Sequence, residues 1–71
     1  MRSDWAPLEL VIGPKLRECF MFMGRSSELY LYKHIGTRRY LNVDAEGRCF
    51  RYTGNEYAPE ELRKAIAYVF S

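Results

Sequence analysis

The sequence predicts an α+β domain in two layers: a short N-terminal helix, a three- or four-stranded antiparallel meander, and a C-terminal helix packed on one sheet face. Three observations predict it. Residues 62–70 carry apolar side chains at helical spacing, and residues 28–53 alternate in polarity between turn-forming residues. The third is length: 71 residues make one domain, 1–71, with too little chain for a second core. A chain this short buries only about 60% of its unfolded surface, so a partner copy or a covalent staple would add useful stability. The composition, 48% hydrophobic and 28% charged, is that of a folded chain and not a disordered one.

The elements follow in order. Ser3 or Asp4 can cap a helix starting near Trp5, with Pro7 in its first turn and Trp5, Leu8, Val11 and Ile12 on one face. Gly13-Pro14 stops it. Residues 15–23, KLRECFMFM, fit a helical stripe through Leu16, Phe20 and Met23, yet the apolar run before Gly24 predicts a strand at 18–23, with GRSS as a hairpin loop. ELYLYKH (28–34) and RRYLNVD (38–44) read as half-buried strands joined by IGT. AEG (45–47), with Gly47 able to turn left-handed, leads to RCFRYT (48–53), which ends at Gly54-Asn55. The last helix is expected to open with Pro59 at its first position and Glu60 and Glu61 at its positive end. Its stripe is Leu62, Ala65, Ile66, Val69 and Phe70, with Tyr57 and Leu62 placed as a hydrophobic staple.

Side chains alternate along strands, which sorts the sheet into two sets. Leu29, Leu31, Leu41, Val43, Phe50 and Tyr52 are expected to form the core beneath the C-terminal helix. Tyr30, Tyr32 and His34, then Arg38, Tyr40 and Asn42, then Cys49, Arg51 and Thr53 make the second face. Arg39 falls with the core set but lies beside a turn, where its side chain can reach solvent. The candidate interaction face is therefore Tyr30, Tyr32, His34, Arg38, Arg39, Tyr40, Asn42 and Arg51. Three readings of it stand side by side. The N-terminal helix or an edge strand covers it; it is a protein–protein surface, above all one for a homo-oligomer, since Tyr and Arg are enriched at hot spots; or it binds nucleic acid through stacked bases and paired phosphates.

Net charge is only +2, but its distribution is uneven. The first 28 residues carry four basic and four acidic groups, whereas 33–51 hold Lys33, Arg38, Arg39, Arg48 and Arg51 against Asp44 and Glu46. Catalysis is not expected. The single histidine, His34, would need a partner such as Asp44 or a cysteine, and no phosphate loop, nucleophile elbow or paired-carboxylate site is present. No cofactor is implied, and two distant cysteines with one histidine are too few for a zinc site within one chain. Cys19 and Cys49 read as small buried hydrophobes, or as a disulfide if their strands are neighbours. No stretch approaches the roughly 20 apolar residues of a membrane span, and LELVI is too short for a signal-peptide core. The expected setting is the cytoplasm.

The order of three strands and a helix over 28–70, with Arg39, Arg48 and Arg51 on the sheet, resembles DNA-binding domains of the AP2 and integrase arm-binding type. That resemblance implies a sheet laid in the major groove. The helix–sheet–helix order is also similar to double-stranded RNA-binding domains, but Glu60 and Glu61 stand where that family places phosphate-gripping lysines. Across the whole chain, ECFMFMGR with LYKHIGTRRYLNVDAEGR resembles small uncharacterised bacterial proteins carried by mobile DNA, including integron gene cassettes. This implies a prokaryotic cytoplasmic protein and no particular chemistry.

Overall fold

The computed structural model describes residues 4–71. Among these, the chain forms helix α1 (Ala6–Ile12), a 3₁₀ helix (Pro14–Cys19) and strands β1 (Phe20–Ser26), β2 (Leu29–His34), β3 (Tyr40–Asp44), β4 (Cys49–Tyr52) and β5 (Tyr57–Glu60). Helix α2 (Leu62–Phe70) closes the chain. The sheet is an antiparallel meander in the order β1-β2-β3-β4-β5. The α+β architecture is the expected one, with one strand more than the sequence indicated.

That extra strand arises where the C-terminal helix was expected to begin. Tyr57–Glu60 pairs with β4, with Tyr57 opposite Tyr52 and Pro59 opposite Phe50. Proline is tolerated because β5 is an edge, where the missing N–H costs no ladder bond. Glu61 then takes the N-cap position, and the helix starts at Leu62. The Tyr57–Leu62 staple does not form: Tyr57 packs on Tyr52 at 4.9 Å between ring centroids, and Leu62 is exposed.

The N-terminal helix begins at Ala6 with Trp5 at its N-cap and no side-chain cap; Asp4 does not cap it, and Ser3 lies outside the described residues. Residues 15–23 resolve the helix–strand ambiguity by dividing. Lys15–Cys19 continue the 3₁₀ helix that Pro14 opens, and Phe20 starts the strand. The strand runs through Gly24 to Ser26, with a bulge between Phe22 and Gly24, so the hairpin turn is Ser27-Glu28 alone. The β2–β3 connection is also longer than IGT: Ile35–Arg39, with Arg38 at φ +66°.

Loop length sets register, and register decides which face each residue joins. Tyr30 lies opposite Val43 and Tyr32 opposite Leu41; Val43 in turn lies opposite Cys49. The expected grouping thus fails for β3 alone, which is out of phase by one. Leu41 and Val43 share a face with Tyr30, Tyr32, Cys49 and Arg51, while Tyr40, Asn42 and Asp44 share the other with Leu29, Leu31, Phe50 and Tyr52.

Both helices lie on the first of these faces. Leu8 of α1 and Ala65 and Val69 of α2 join Phe20, Tyr30, Tyr32, Leu41, Val43 and Cys49 in one core. Polar Asn42 and Asp44 fall on the other side of β3, where the Phe50 carbonyl and the turn amides of Glu46 and Arg48, and not a helix, meet their side chains. Tyr32 is the centre of the packing. It is fully buried, its ring sits 5.7 Å from both Trp5 and Phe22, and its hydroxyl donates to the Asp4 carbonyl at 2.7 Å. Burial pushes its phenol well above the usual tyrosine range. Tyr32→Phe keeps the ring and is expected to cost about 1 kcal/mol, whereas Tyr32→Ala is expected to cost about 3–5 kcal/mol, read as shifts in urea unfolding.

Candidate functional site

The eight residues expected to form one interaction face are separated by this register. Tyr30 and Tyr32 are core residues, 8% and 0% exposed, and present no surface to a partner. Arg25 lies over Tyr30, its guanidinium 4.3 Å from the ring centre. His34 is built into its own turn. Nδ1 accepts from the amides of Gly36 and Thr37 at 3.1 and 3.0 Å, and the ring stands edge-on to Phe20 and Phe70. A Cβ at position 36 would lie 3.0 Å from His34 Cε1, so any other residue there presses on the imidazole.

Arg38, Arg39, Tyr40, Asn42 and Arg51, by contrast, do converge, in a cleft of about 470 Å³ that also takes in Leu31, Tyr52, Tyr57 and Tyr68. The cleft exists because β3 and β4 part. Their ladder pairs only Asn42 with Phe50 and Val43 with Cys49, so Leu41 with Arg51 and then Tyr40 with Tyr52, the next two in register, are not paired. Residues from both sheet faces meet at this fork. Tyr40 and Tyr52 are 40% and 53% exposed at its mouth, and Lys33 stands 5.9 Å over the Tyr40 ring.

Helix α2 closes one side. Tyr68 is sandwiched against two guanidiniums, Arg39 at 4.5 Å and Arg51 at 3.8 Å, in cation–π contact. Arg39 also donates to the Tyr68 carbonyl and the Ser71 hydroxyl, both at 3.4 Å, and Thr37 Oγ1 donates to the Val69 carbonyl at 2.6 Å. The β2–β3 loop thereby satisfies carbonyls that a helix end leaves open. Arg51 is further tied to Glu60 across β4 and β5. Two buried polar atoms have no partner among the described residues: Asn42 Oδ1, whose amide nitrogen donates to the Phe50 carbonyl at 3.2 Å, and Arg51 Nε.

Tyr52, Tyr57 and Tyr68 were missed as site residues. Strand alternation assigns Tyr52 to the core, and the staple pattern takes up Tyr57. Tyr68 carried a usable signal: it lies off the apolar stripe of α2, where a large aromatic has no core to join.

A second polar cluster is structural. Asp44 Oδ1 accepts from the Glu46 and Arg48 amides at 2.9 Å, and Oδ2 pairs with Arg48 Nε at 2.7 Å, closing the β3–β4 turn in which Gly47 takes φ +88°. Burial pushes the Asp44 carboxyl up, but these hydrogen bonds and the Arg48 charge outweigh it and hold it below the usual carboxylate range. The thiols are free: Cys49 is buried, which raises its pKa, and β2 and β3 separate its strand from β1, which Cys19 precedes. Among the described residues no group of three or more His, Cys, Asp and Glu is placed to hold a metal ion, and no helix is long and apolar enough to cross a membrane. Compared with known proteins, the chain matches no family model, no curated protein and no solved structure.

A carboxyl whose proton is harder to add in the fold than in the unfolded chain stabilises the fold above its ordinary pKa. That contribution fades as pH falls below about 4. Asp44→Asn is therefore expected to be less stable than the parent at pH 7, with the gap narrowing by pH 3 in paired urea titrations.

Proposed function

We propose that the protein is a non-catalytic interaction module that self-associates, sheet edge to sheet edge, through β1. The observation that carries this reading is the state of the outer edge of β1. It is a seven-residue strand, FMFMGRS, without proline or lysine, and among the described residues nothing pairs with it. Its neighbours add apolar surface, with Met21, Met23, Leu16 and Ile35 between 38% and 46% exposed. The opposite edge, β5, is four residues long and carries Pro59.

Ladder alternation says which groups face outward. Ile35 donates to the Cys19 carbonyl and Met21 lies opposite Lys33, so the odd-numbered residues there bond inward to β2. The backbone groups of Phe20 and Phe22 consequently face the open edge. An edge of this kind is a template for another strand unless something blunts it, and here only the bulge at Met23 and Arg25 do so. A second copy pairing antiparallel about a twofold axis satisfies the same groups on both chains and joins two five-stranded sheets into one. A domain of this size gains most from such pairing.

Three further supports bear on what the module does not use. His34 is held between Phe20 and Phe70 with Nδ1 occupied by backbone amides, which leaves it poorly placed for proton transfer. Arg48 pairs with Asp44 and Glu46, and Arg51 with Glu60, which weakens a reading of the sheet as a duplex-groove reader. The free thiols fit the reducing cytoplasm.

Light scattering on the full chain at micromolar concentration is expected to give a dimer mass. Met21→Lys with Met23→Lys, both at exposed positions, is expected to give a folded monomer. A monomer for the parent chain contradicts the proposal, as does a dimer that survives both lysines.

A further inference from the structure

We infer that the β3–β4 fork is a ligand site for a nucleotide: a planar base that stacks on tyrosine and carries hydrogen-bond donors and acceptors, joined to an anionic phosphate. The inference is independent of edge pairing at β1, because the fork lies further across the sheet, between β3 and β4. Three features of the cleft converge on it.

The first is the pair of orphaned atoms. Buried polar groups are almost always hydrogen-bonded, and each exception asks for a missing partner. Asn42 is only 4% exposed and lines the cleft with Oδ1 unpartnered, an acceptor awaiting an N–H. Arg51 Nε is a donor awaiting an acceptor, in the same cleft. A ligand that carries donors as well as acceptors can offer each atom a partner from its own side of the fork, whereas an inorganic anion brings no donor for Asn42.

The second is the wall. Tyr40, Tyr52 and Tyr57 supply aromatic surface, with Tyr40 40% and Tyr52 53% exposed. Stacking on tyrosine is available to any base, since every base has a π-face. The volume, about 470 Å³, lies within the range of small-ligand pockets, roughly 300–1,000 Å³.

The third is charge at the mouth. The Arg38 amide donates to the His34 carbonyl at 2.8 Å, while its guanidinium has no hydrogen-bond or ion-pair partner among the described residues, and its φ of +66° holds it out at the turn. Arg39 stands beside it over Tyr68, with no carboxylate partner among the described residues. Together they give a phosphate two cations next to the stacking wall, the pairing of aromatic platform and basic groove that binds single-stranded nucleic acid. A free mononucleotide offers the same chemistry as one unit of a strand.

The test is a titration of ¹⁵N-labelled full chain, at low salt, with three probes: the four ribonucleoside monophosphates, a mixed-sequence single-stranded heptanucleotide, and inorganic phosphate. The expected result is movement of the Asn42 side-chain amide and of the Tyr40, Tyr52 and Tyr57 backbone amides with a nucleotide probe. Tighter binding of the heptanucleotide assigns the site to a strand, and equal binding of monophosphates assigns it to free nucleotide; either supports the inference. Two variants at exposed positions keep the fold: Tyr52→Ala is expected to weaken binding about tenfold. Arg38→Gly, which relieves the positive φ, is expected to lower the salt dependence by about one ion. No shift at millimolar nucleotide overturns the site, and identical shifts with phosphate alone overturn base recognition.

Discussion

Everything in this fold depends on the limited amount of helix available to cover the sheet. A five-stranded sheet has two faces, and the chain offers one seven-residue and one nine-residue helix. Both settle on the face of Tyr32, Leu41 and Val43, where all three are buried to 1% exposure or less. Helices this short are not stable alone, so each is held by what it packs against. For α1 the anchors are Leu8 and Trp5 against Tyr32, with the tyrosine hydroxyl fastening the chain just before the helix. For α2 they are Ala65 and Val69 in the core, and the β2–β3 loop at its last carbonyls. The opposite face is left to the strands' own aromatic residues.

That uncovered face is where the phase of β3 matters. Its inward residues, Leu41 and Val43, serve the core, so Tyr40, Asn42 and Asp44 must point the other way. Asp44 is satisfied by the turn it closes. Asn42 is satisfied only in part, because β3 and β4 separate one residue beyond it. The fork is thus a direct consequence of packing the other side, and it gathers arginines and tyrosines from four elements. Charge that looks diffuse in the sequence, five basic residues between 33 and 51, is divided by the fold. Arg48 goes to a turn, Arg39 and Arg51 to Tyr68, and Arg38 stays free among the described residues.

The legible parts of this fold were those with a local cause. Alternation in ELYLYKH and RCFRYT marked β2 and β4, and the stripe Ala65, Ile66, Val69 marked α2, because each pattern is written within a few adjacent residues. The register between β2 and β3 was not legible, since it depends on how many residues the loop uses, and Ile35–Arg39 uses more than its Gly-Thr core implies. The fifth strand was hidden by Pro59, which fits a first helical turn and an edge strand equally well. Arg38, Arg39, Tyr40, Asn42 and Arg51 were legible as candidates from composition and position. Tyr30 and Tyr32 stayed ambiguous, and the reading in which the N-terminal helix covers them is the one the fold bears out, because a tyrosine in a half-buried strand has the same local signature whether or not a distant helix covers it.

The central claim is that both helices lie on the tyrosine face. Nuclear Overhauser contacts in the full chain test it most directly. The account predicts cross-peaks from Trp5 and Leu8 to the Tyr32 ring and from the Val69 methyls to Leu41 and Val43. It predicts none from either helix to Leu29 or Phe50. Contacts from Val69 or Ala65 to Leu29 and Phe50, with Tyr32 exchanging freely with solvent, would contradict it.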